Sequence, residues 1–266
     1  MFDCGVNLSS SQFSDYIQTL KEHSIEAGIK GWICISNSEI EWDKNLSYCR
    51  KYSDNKDFVI KTTIGIHPHD AKEAKSSSWT RLESIVSNNN KIVAIGECGL
   101  DYNRMFSPKD VQIEVFIAQI ELAHKYNLPL YLHERDAHDD FYDILSTYKN
   151  KYPDLKGIVH CFTGNDTQMK KYLDLGFYIG ITGWLCDNRR NKDLLTATKS
   201  LPLDKLILET DSPFLIPQVH AKQWNTRRNQ PDSILYVVEK MMEITGKQKE
   251  ELMKISMTNT KKLFNF

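Results

Sequence analysis

The sequence predicts one α/β domain over residues 1–266, a single (β/α)8 barrel of the TIM type closed by C-terminal helices. The chain has 266 residues, and a barrel of this type typically takes about 250. Short β-branched runs alternate with longer amphipathic segments throughout, and no linker rich in Pro, Gly or Ser divides the chain. The alternation predicts eight strands, each followed by a helix, which is the number that such a barrel requires.

The predicted strands are short apolar runs bounded by turn residues. In chain order they are Phe2–Val6, Trp32–Ser36, Val59–Ile66, Ile92–Glu97, Leu128–His133, Gly157–Phe162, Phe177–Gly183 and Lys205–Thr210. One helix is predicted after Ser107, which can cap it, with Pro108 at the first helical position. From about Pro231 the pattern predicts two or three closing helices. The alternative architecture for this pattern is a doubly wound open sheet.

Composition and charge exclude several classes of protein. The 34 Lys and Arg residues nearly balance 35 Asp and Glu residues, and the hydrophobic fraction of 41% is ordinary for a globular domain. Because the balanced charge gives no basic footprint, any nucleic acid has to be held locally. Neither a membrane helix nor a signal peptide is visible, and six dispersed cysteines indicate reduced thiols. We therefore expect a cytoplasmic protein, with nuclear entry open, that contacts no membrane and needs no obligate protein partner.

Titratable residues stand at the ends of four predicted strands. Glu97, His133 and His160 end strands four, five and six, and Asp211 follows strand eight. Because the loops after barrel strands share one crevice, these side chains are expected to meet there. Each alone has an ordinary structural explanation, as a cap, a turn residue or a core hydrogen-bond partner. Together they favour a divalent metal site.

The cysteines next to these residues invite a different interpretation. Cys98 follows Glu97 and Cys161 follows His160, which suggests a thiolate zinc site. Successive strand residues point to opposite faces, so both cysteines are predicted to face away from the site. We expect all six cysteines to be structural.

At these positions the sequence resembles the TatD family of metal-dependent deoxyribonucleases. The resemblance covers essentially the whole chain through the motifs FDCGVNL, GIHPHD, VAIGECGLDYNR, PLYLHERDAH, GIVHCFTG, YIGITGWLCD and LILETDSPFL. It implies that Glu97, His133 and His160 are metal ligands. It also implies that Asp211 is a ligand, a general base, or both.

The same resemblance implies a function. Proteins of this family cut DNA, mostly as 3′-to-5′ exonucleases with Mg²⁺, and have been linked to DNA repair. Most of the wider family has a His-x-His after the first strand, where this chain has Gly5 and Asn7. The branch closest to TatD itself shares the GVNL form. Without these imidazoles a hard, loosely held ion such as Mg²⁺ is favoured over a zinc pair, although Asn7 and Asp3 still offer oxygen atoms. We expect one or two ions per chain, with Mn²⁺ and Zn²⁺ as alternatives to Mg²⁺.

The predicted reaction is hydrolysis of a phosphodiester at a DNA 3′ end, most simply in a single strand. Asp211 takes the proton from the attacking water, Glu97 bridges to a second ion, and His67 stabilises the growing negative charge on the phosphate. Further positions are predicted to bind substrate phosphates: His69, Arg104, Arg227 and Arg228.

Other polar and aromatic residues near the predicted rim have less specific interpretations. Arg189 and Arg190 are expected to form surface ion pairs. Trp184 and Tyr102 can stack on an unpaired base, although packing in the core is an equally good explanation. Two rival functions remain: a metal-dependent hydrolase of an amide or ester, including aminoacyl-tRNA ends, and a non-enzymatic barrel with a degenerate site.

Overall fold

The structure, a computed structural model, describes residues 1–54, 57–224 and 226–266. In these ranges eight parallel strands form one sheet in the order β1 to β8, so each strand pairs with its neighbours in sequence. The strands are β1 (Asp3–Val6), β2 (Gly31–Cys34), β3 (Val59–Ile64), β4 (Ile92–Asp101), β5 (Leu130–Arg135), β6 (Gly157–Val159), β7 (Tyr178–Ile181) and β8 (Leu206–Leu208).

The last strand returns to the first and closes the sheet into a barrel. Val6 forms a parallel bridge with Ser212, and the Asn7 amide donates to the Ser212 carbonyl at 2.8 Å. The Thr210 amide donates to the Asp3 carboxylate at 2.9 Å. The predicted (β/α)8 barrel is therefore confirmed, and the doubly wound open sheet is excluded.

Helices follow the strands and cover the barrel. They are α1 (Ile17–Glu26), α2 (Glu39–Tyr52), α3 (Ser76–Asn88), α4 (Lys109–Lys125), α5 (His138–Lys151), α6 (Asp166–Asp174), α7 (Lys192–Thr198), α8 (Gln218–Gln223), α9 (Ile234–Thr245) and α10 (Lys249–Phe264). Short 3-10 helices cover Ser11–Phe13, Pro68–Glu73, Gly183–Cys186, Leu203–Lys205 and Pro231–Ser233. The two helices after Ser233 confirm the predicted C-terminal closure. In the described ranges, no helix has both the length and the apolar character for crossing a membrane.

The start of α4 differs from its prediction. The helix begins at Lys109 with Pro108 as its N-cap, and Ser107 makes no cap hydrogen bond. Instead the Ser107 hydroxyl donates to the His69 carbonyl at 2.9 Å and accepts from the Lys72 amide at 3.1 Å. The serine therefore fastens the entrance of α4 to the segment that follows β3.

Seven of the eight predicted strand ends differ from the observed ones, most of them by two residues, and the differences at β4 and β6 shape the site. Strand β4 continues four residues beyond Glu97 because its register shifts between Gly96 and Cys98. Gly96 and Gly99 have φ values of 137° and 144°, and a Cβ at Gly99 would lie 1.9 Å from the His133 carbonyl oxygen. Strand β6 instead ends at Val159, which leaves His160 in a turn.

Two buried clusters form the core. The larger cluster includes outward-facing strand residues and the inner faces of the helices. The smaller cluster takes Ile33, Tyr131, Ile158 and Ile207 from the strands and Phe2 from the residue before β1, and Leu263 and Phe264 of α10 pack against them. All six cysteines are free thiols, as predicted. This packed barrel supports the loops that follow the strands.

Candidate active site

A cavity of about 580 Å³ opens where the strands end at the carboxyl side of the barrel. All four predicted ligands line it together with His67, His69 and Arg104. Two further acids, Asp101 and Glu209, were not predicted from the sequence, and both are fully or almost fully buried. The structure therefore brings most of the predicted site residues into one crevice.

Glu97 is the residue around which the imidazoles gather. Its Oε1 lies 2.9 Å from His133 Nδ1, 3.6 Å from His67 Nε2 and 3.8 Å from His160 Nε2. Burial would raise the pKa of this carboxyl, but the neighbouring His67 and His160 and the hydrogen bond with His133 lower the pKa well below its usual range. Glu97 lies at the register shift in β4 and lines the cavity.

The orientation of His160 is fixed from behind by a carboxylate. Its Nδ1 donates to Glu209 Oε2 at 2.8 Å, and the Tyr131 hydroxyl donates to the same oxygen at 2.7 Å. This contact leaves Nε2 as the atom that faces Glu97 and Asp211, so Nε2 is the atom that would bind a metal after releasing its proton. Burial lowers the pKa of His160, but Glu209 and Glu97 outweigh that effect and raise the pKa to about 10.

A second buried acid orients His133 in the same way. Its Nε2 donates to Asp101 Oδ2 at 3.3 Å, and His69 Nε2 donates to that oxygen at 2.8 Å. The Nδ1 atom of His133 is thereby left beside Glu97. Burial lowers the pKa of His133, but hydrogen bonds with Asp101 and Glu97 raise the pKa to about 9.

Asp211 lies on the turn after β8 in a left-handed conformation, with φ 57°. Its Oδ1 accepts a hydrogen bond from Asn7 Nδ2 at 2.9 Å and lies 3.7 Å from His160 Nε2. Burial raises the pKa of Asp211 to about 7, against the opposing charge of His160. A carboxyl with a pKa in this range can accept and release a proton near neutral pH.

His67 differs from the other imidazoles because its Nδ1 accepts a hydrogen bond from the His69 amide at 3.1 Å. Its proton is therefore on Nε2, the atom that points toward Glu97. Burial lowers the pKa of His67 to about 4, so the ring is neutral at pH 7. These contacts suit a hydrogen-bond donor better than a metal ligand.

The donor atoms present fit a divalent ion. Ligand atoms of His67, Glu97 and His133 lie within 4.8 Å of one another, as do those of His160, Cys161 and Asp211. Two of the imidazoles have a carboxylate behind them, an arrangement typical of metal-bound histidines. Carboxylate oxygens with imidazole nitrogens are donors for Mg²⁺, Mn²⁺ or Zn²⁺.

The prediction that both neighbouring cysteines face away is wrong for Cys161. It lies beyond the end of β6 with φ 45°, so the alternation of an extended strand does not apply there. Its thiol lies beside Thr182 and lines the cavity. Cys98 is fully buried, with its sulfur near the Ile95 and Tyr131 carbonyls.

The oxygen donors expected near β1 are only partly available. Asp3 is fully buried, and its carboxylate accepts hydrogen bonds from Thr210 and the Gly5 amide, so it does not reach the cavity. Asn7 does line the cavity, but its Oδ1 accepts from Asn37 Nδ2 at 3.0 Å.

The predicted phosphate-binding residues fall into two groups. His69 and Arg104 line the cavity. Neither Arg227 nor Arg228 is among the described residues that line it: Arg227 is exposed, and Arg228 stacks on Tyr16 and donates to the Gln12 carbonyl. A substrate contact for these two arginines remains a prediction without a structural contact to support it.

Three residues of the site region were not predicted from the sequence: Glu209, Asp101 and Tyr131. Glu209 directly follows the buried apolar strand β8, a signal like the one that identified Glu97, but it stands two residues before the more conspicuous Asp211. Asp101 was missed because β4 was predicted to end at Glu97. Nothing in the sequence marks Tyr131 as a partner of the site, since its position resembles any core aromatic.

A family model for TatD related DNases matches residues 2–265. The chain belongs to this TatD family. Among its relatives, the 3′-5′ ssDNA/RNA exonuclease TatD of Erwinia tasmaniensis is 37% identical over 266 residues, which is all of both chains. The enzyme of that name from Escherichia coli K12 is 34% identical over 264 residues, 99% of this chain and 98% of its own.

Solved structures of TatD proteins superpose on the whole barrel. A TatD homologue of E. coli K12 matches with a TM-score of 0.90 and 25% identity, covering 100% of this chain and 98% of its own. A TatD family hydrolase of Entamoeba histolytica matches with a TM-score of 0.88 and 26% identity, covering 99% and 97%. The family resemblance of the motifs is thus confirmed over the full fold.

Proposed function

We propose that this TatD protein is a divalent-metal-dependent nuclease that removes nucleotides from the 3′ end of single-stranded DNA. The observation that carries the proposal is the cluster of Glu97, His133, His160 and Asp211, two of whose imidazoles are oriented by buried carboxylates. Family membership and relatives named 3′-5′ ssDNA/RNA exonucleases support the reaction. Because that name includes RNA, RNA oligonucleotides belong among the substrates tested.

Four residues would hold the ion or ions: Glu97, His133, His160 and Asp211. A divalent ion there supplies Lewis acidity toward a phosphate oxygen and a lowered pKa for a bound water. Mg²⁺ is the proposed ion because Gly5 and Asn7 remove two imidazoles that would favour a permanent zinc pair. The six free thiols fit a reducing compartment such as the cytoplasm.

Asp211 is the proposed general base. Its pKa of about 7 lets the carboxylate take a proton from the attacking water at neutral pH. Asn7 donates to Oδ1 of Asp211 and so fixes the direction in which the carboxyl group points. The positive φ of Asp211 aims the side chain back across the barrel toward His160.

His67 is the proposed stabiliser of the negative charge that develops on the phosphate. Its Nε2 proton is fixed by the His69 amide, so the ring offers a neutral, preorganised donor. His69 and Arg104 line the same cavity and would bind a phosphate oxygen. The roles proposed for Arg227 and Arg228 are contacts to a more distant part of the strand.

The test uses a 5′-labelled single-stranded DNA oligonucleotide and chelated protein, with and without added Mg²⁺, beside Glu97→Ala. A descending ladder that requires both the metal and Glu97 supports a 3′-to-5′ exonuclease at this site. Parallel RNA and blunt duplex substrates measure strand preference. No cleavage with Mg²⁺, Mn²⁺ or Zn²⁺ would contradict the proposal and favour an amide or ester substrate.

A further inference from the structure

One wall of the cavity differs from the rest because it is aromatic. Trp184 lies in the 3-10 helix after β7, and Phe214 and Leu215 lie on the turn after β8. All three line the cavity, and 51% of the Phe214 surface is exposed. The other walls carry histidines, carboxylates, amides and arginines, so this apolar surface has no role in holding a metal.

The two loops of this wall pack closely because residue 183 is a glycine. A Cβ at Gly183 would lie 2.3 Å from the Leu215 carbonyl oxygen. Any side chain there would push the Trp184 helix away from the turn that carries Phe214 and Asp211. The glycine therefore places the aromatic wall directly beside the proposed general base.

The guanidinium of Arg190 lies over the indole of Trp184. Its guanidinium carbon is 3.7 Å from the ring centroid, and the indole Nε1 donates to the Arg190 carbonyl at 3.4 Å. The Nε of Arg190 pairs with Asp187 at 2.9 Å. In the described part of the chain neither Nη atom of Arg190 has a hydrogen-bond partner, and the residue lines the cavity.

The neighbouring Arg189 provides an internal contrast. It binds the same Asp187 through Nε and Nη2, at 2.8 and 2.7 Å, and its side chain is 74% exposed. It is not among the described residues that line the cavity. The predicted ion pairs are thus present for both arginines, but of the two only Arg190 lines the cavity, and its Nη atoms have no described hydrogen-bond partner.

We propose that Arg190, Trp184 and Phe214 form a subsite for one unpaired nucleotide next to the scissile phosphate. The Nη atoms of Arg190 bind the neighbouring phosphate, and the base lies against the Trp184 and Phe214 surface. This inference rests on the proposed function and names the part of the substrate that the site selects. A guanidinium held between an indole ring and Asp187 is already ordered, so phosphate binding costs little side-chain entropy.

The subsite has a consequence for strand preference. A base in a duplex is stacked and paired, and it has to leave both contacts before it can lie on an aromatic side chain. A single strand offers its bases without that cost, and stacking on aromatic residues tolerates any base. The aromatic wall therefore selects unpaired ends without selecting sequence.

The test measures affinity without digestion. A 5′-fluorescein oligo(dT) with phosphorothioate linkages at its 3′ end is titrated with Mg²⁺-loaded protein, and fluorescence anisotropy gives Kd over a range of salt. The variants are Arg190→Ala, its matched control Arg189→Ala, and Trp184→Ala with its conservative partner Trp184→Phe. Thermal unfolding of each variant checks that the barrel is intact.

We expect Arg190→Ala to weaken binding about ten-fold and to reduce the slope of log Kd against log salt by about 0.7, the value for one lost phosphate contact. Trp184→Ala should weaken binding about ten-fold with the slope unchanged, and Trp184→Phe should restore most of the affinity. Arg189→Ala should stay within about two-fold of wild type, since exposed pairs contribute little.

Equal affinities and equal salt slopes for Arg190→Ala and Arg189→Ala would overturn the subsite. Wild-type protein that binds no oligonucleotide would overturn it as well. Digestion of an unmodified oligonucleotide by wild type is scored separately. If wild type digests DNA while Arg190→Ala binds normally, the subsite fails and the proposed function stands; if wild type digests nothing, the proposed function fails.

Discussion

Two buried carboxylates of the same barrel, Glu97 in β4 and Asp3 in β1, have opposite electrostatics. Asp3 is fully buried and Glu97 is 5% exposed. Burial raises the pKa of Asp3 to about 8, whereas the pKa of Glu97 is held well below its usual range. Equal burial therefore produces a neutral acid in one strand and a charged one in another.

The difference comes from their partners. Glu97 faces three imidazoles in a cavity that water can enter. The anion is stabilised by these rings, two of which, His133 and His160, have a raised pKa. Among the described residues, the hydrogen-bond partners of Asp3 are the hydroxyl and amide of Thr210 and the amide of Gly5, and the nearby Glu209 raises the pKa of Asp3 further. A buried carboxyl thus becomes a ligand or a structural acid according to what surrounds it.

The largest effect is expected at the charged member of this pair. Glu97→Gln keeps the shape but removes the negative charge that the ion and the imidazoles require, so kcat/KM on single-stranded DNA should fall about 1000-fold. Asp3→Asn is the matched control and should keep activity within about three-fold. Equal losses for both variants would show that the comparison assigns the wrong carboxylate to the site.

A smaller effect, on metal affinity, is expected at Glu209, which contacts the proposed ligand His160. Glu209→Gln removes the charge that orients His160, and metal affinity should fall about 10- to 100-fold while the barrel stays folded. Calorimetric titration of chelated protein with Mn²⁺ measures this affinity. Unchanged affinity in this variant would mean that His160 does not need Glu209 to bind the ion.

Substitution of Asp3 should change the free energy of unfolding and not catalysis. Asp3→Ala leaves the Thr210 and Gly5 amides buried without an acceptor, which should cost about 2 kcal/mol of unfolding free energy. Asp3→Asn keeps an oxygen that can accept from both amides, so its cost should be smaller, under about 1 kcal/mol. Denaturant titration of the two variants near pH 6 separates them, and equal stabilities would show that these hydrogen bonds contribute nothing measurable.

The last expected effect is a change of stability with pH. Between about pH 4 and pH 8 the folded state keeps a proton on Asp3 that the unfolded chain releases, so Asp3 makes stability fall as pH rises through this range. One proton gives at most about 1.4 kcal/mol per pH unit. The difference in stability between wild type and Asp3→Asn should therefore shift in favour of the variant toward pH 8. A constant difference from pH 5 to pH 8 would place the pKa of Asp3 outside this range.

The ligand-bearing strands were predictable because they combine two local signals. Glu97 and His133 stand in apolar runs where a polar side chain is costly, and barrel topology brings such positions to one rim. Asp101 was not predicted because its place beside His133 depends on the register shift at Gly96 and on close contact of Gly99 with β5. Arg190 was predicted only as an ion pair, since its contact with Trp184 joins residues whose orientation is set by the β7 loop.

The sequence by itself determined the eight-stranded barrel, its closing helices and the family, because hydrophobic periodicity and motif order are written along the chain. Only the tertiary structure decided which buried acids are charged, which nitrogen of each histidine is free, and which arginine faces the cavity. These properties depend on atoms brought together from distant strands, such as Glu209 with His160 and Asp3 with Thr210. Distances of 3 to 4 Å between such atoms set pKa and hydrogen bonding, and no local pattern specifies them.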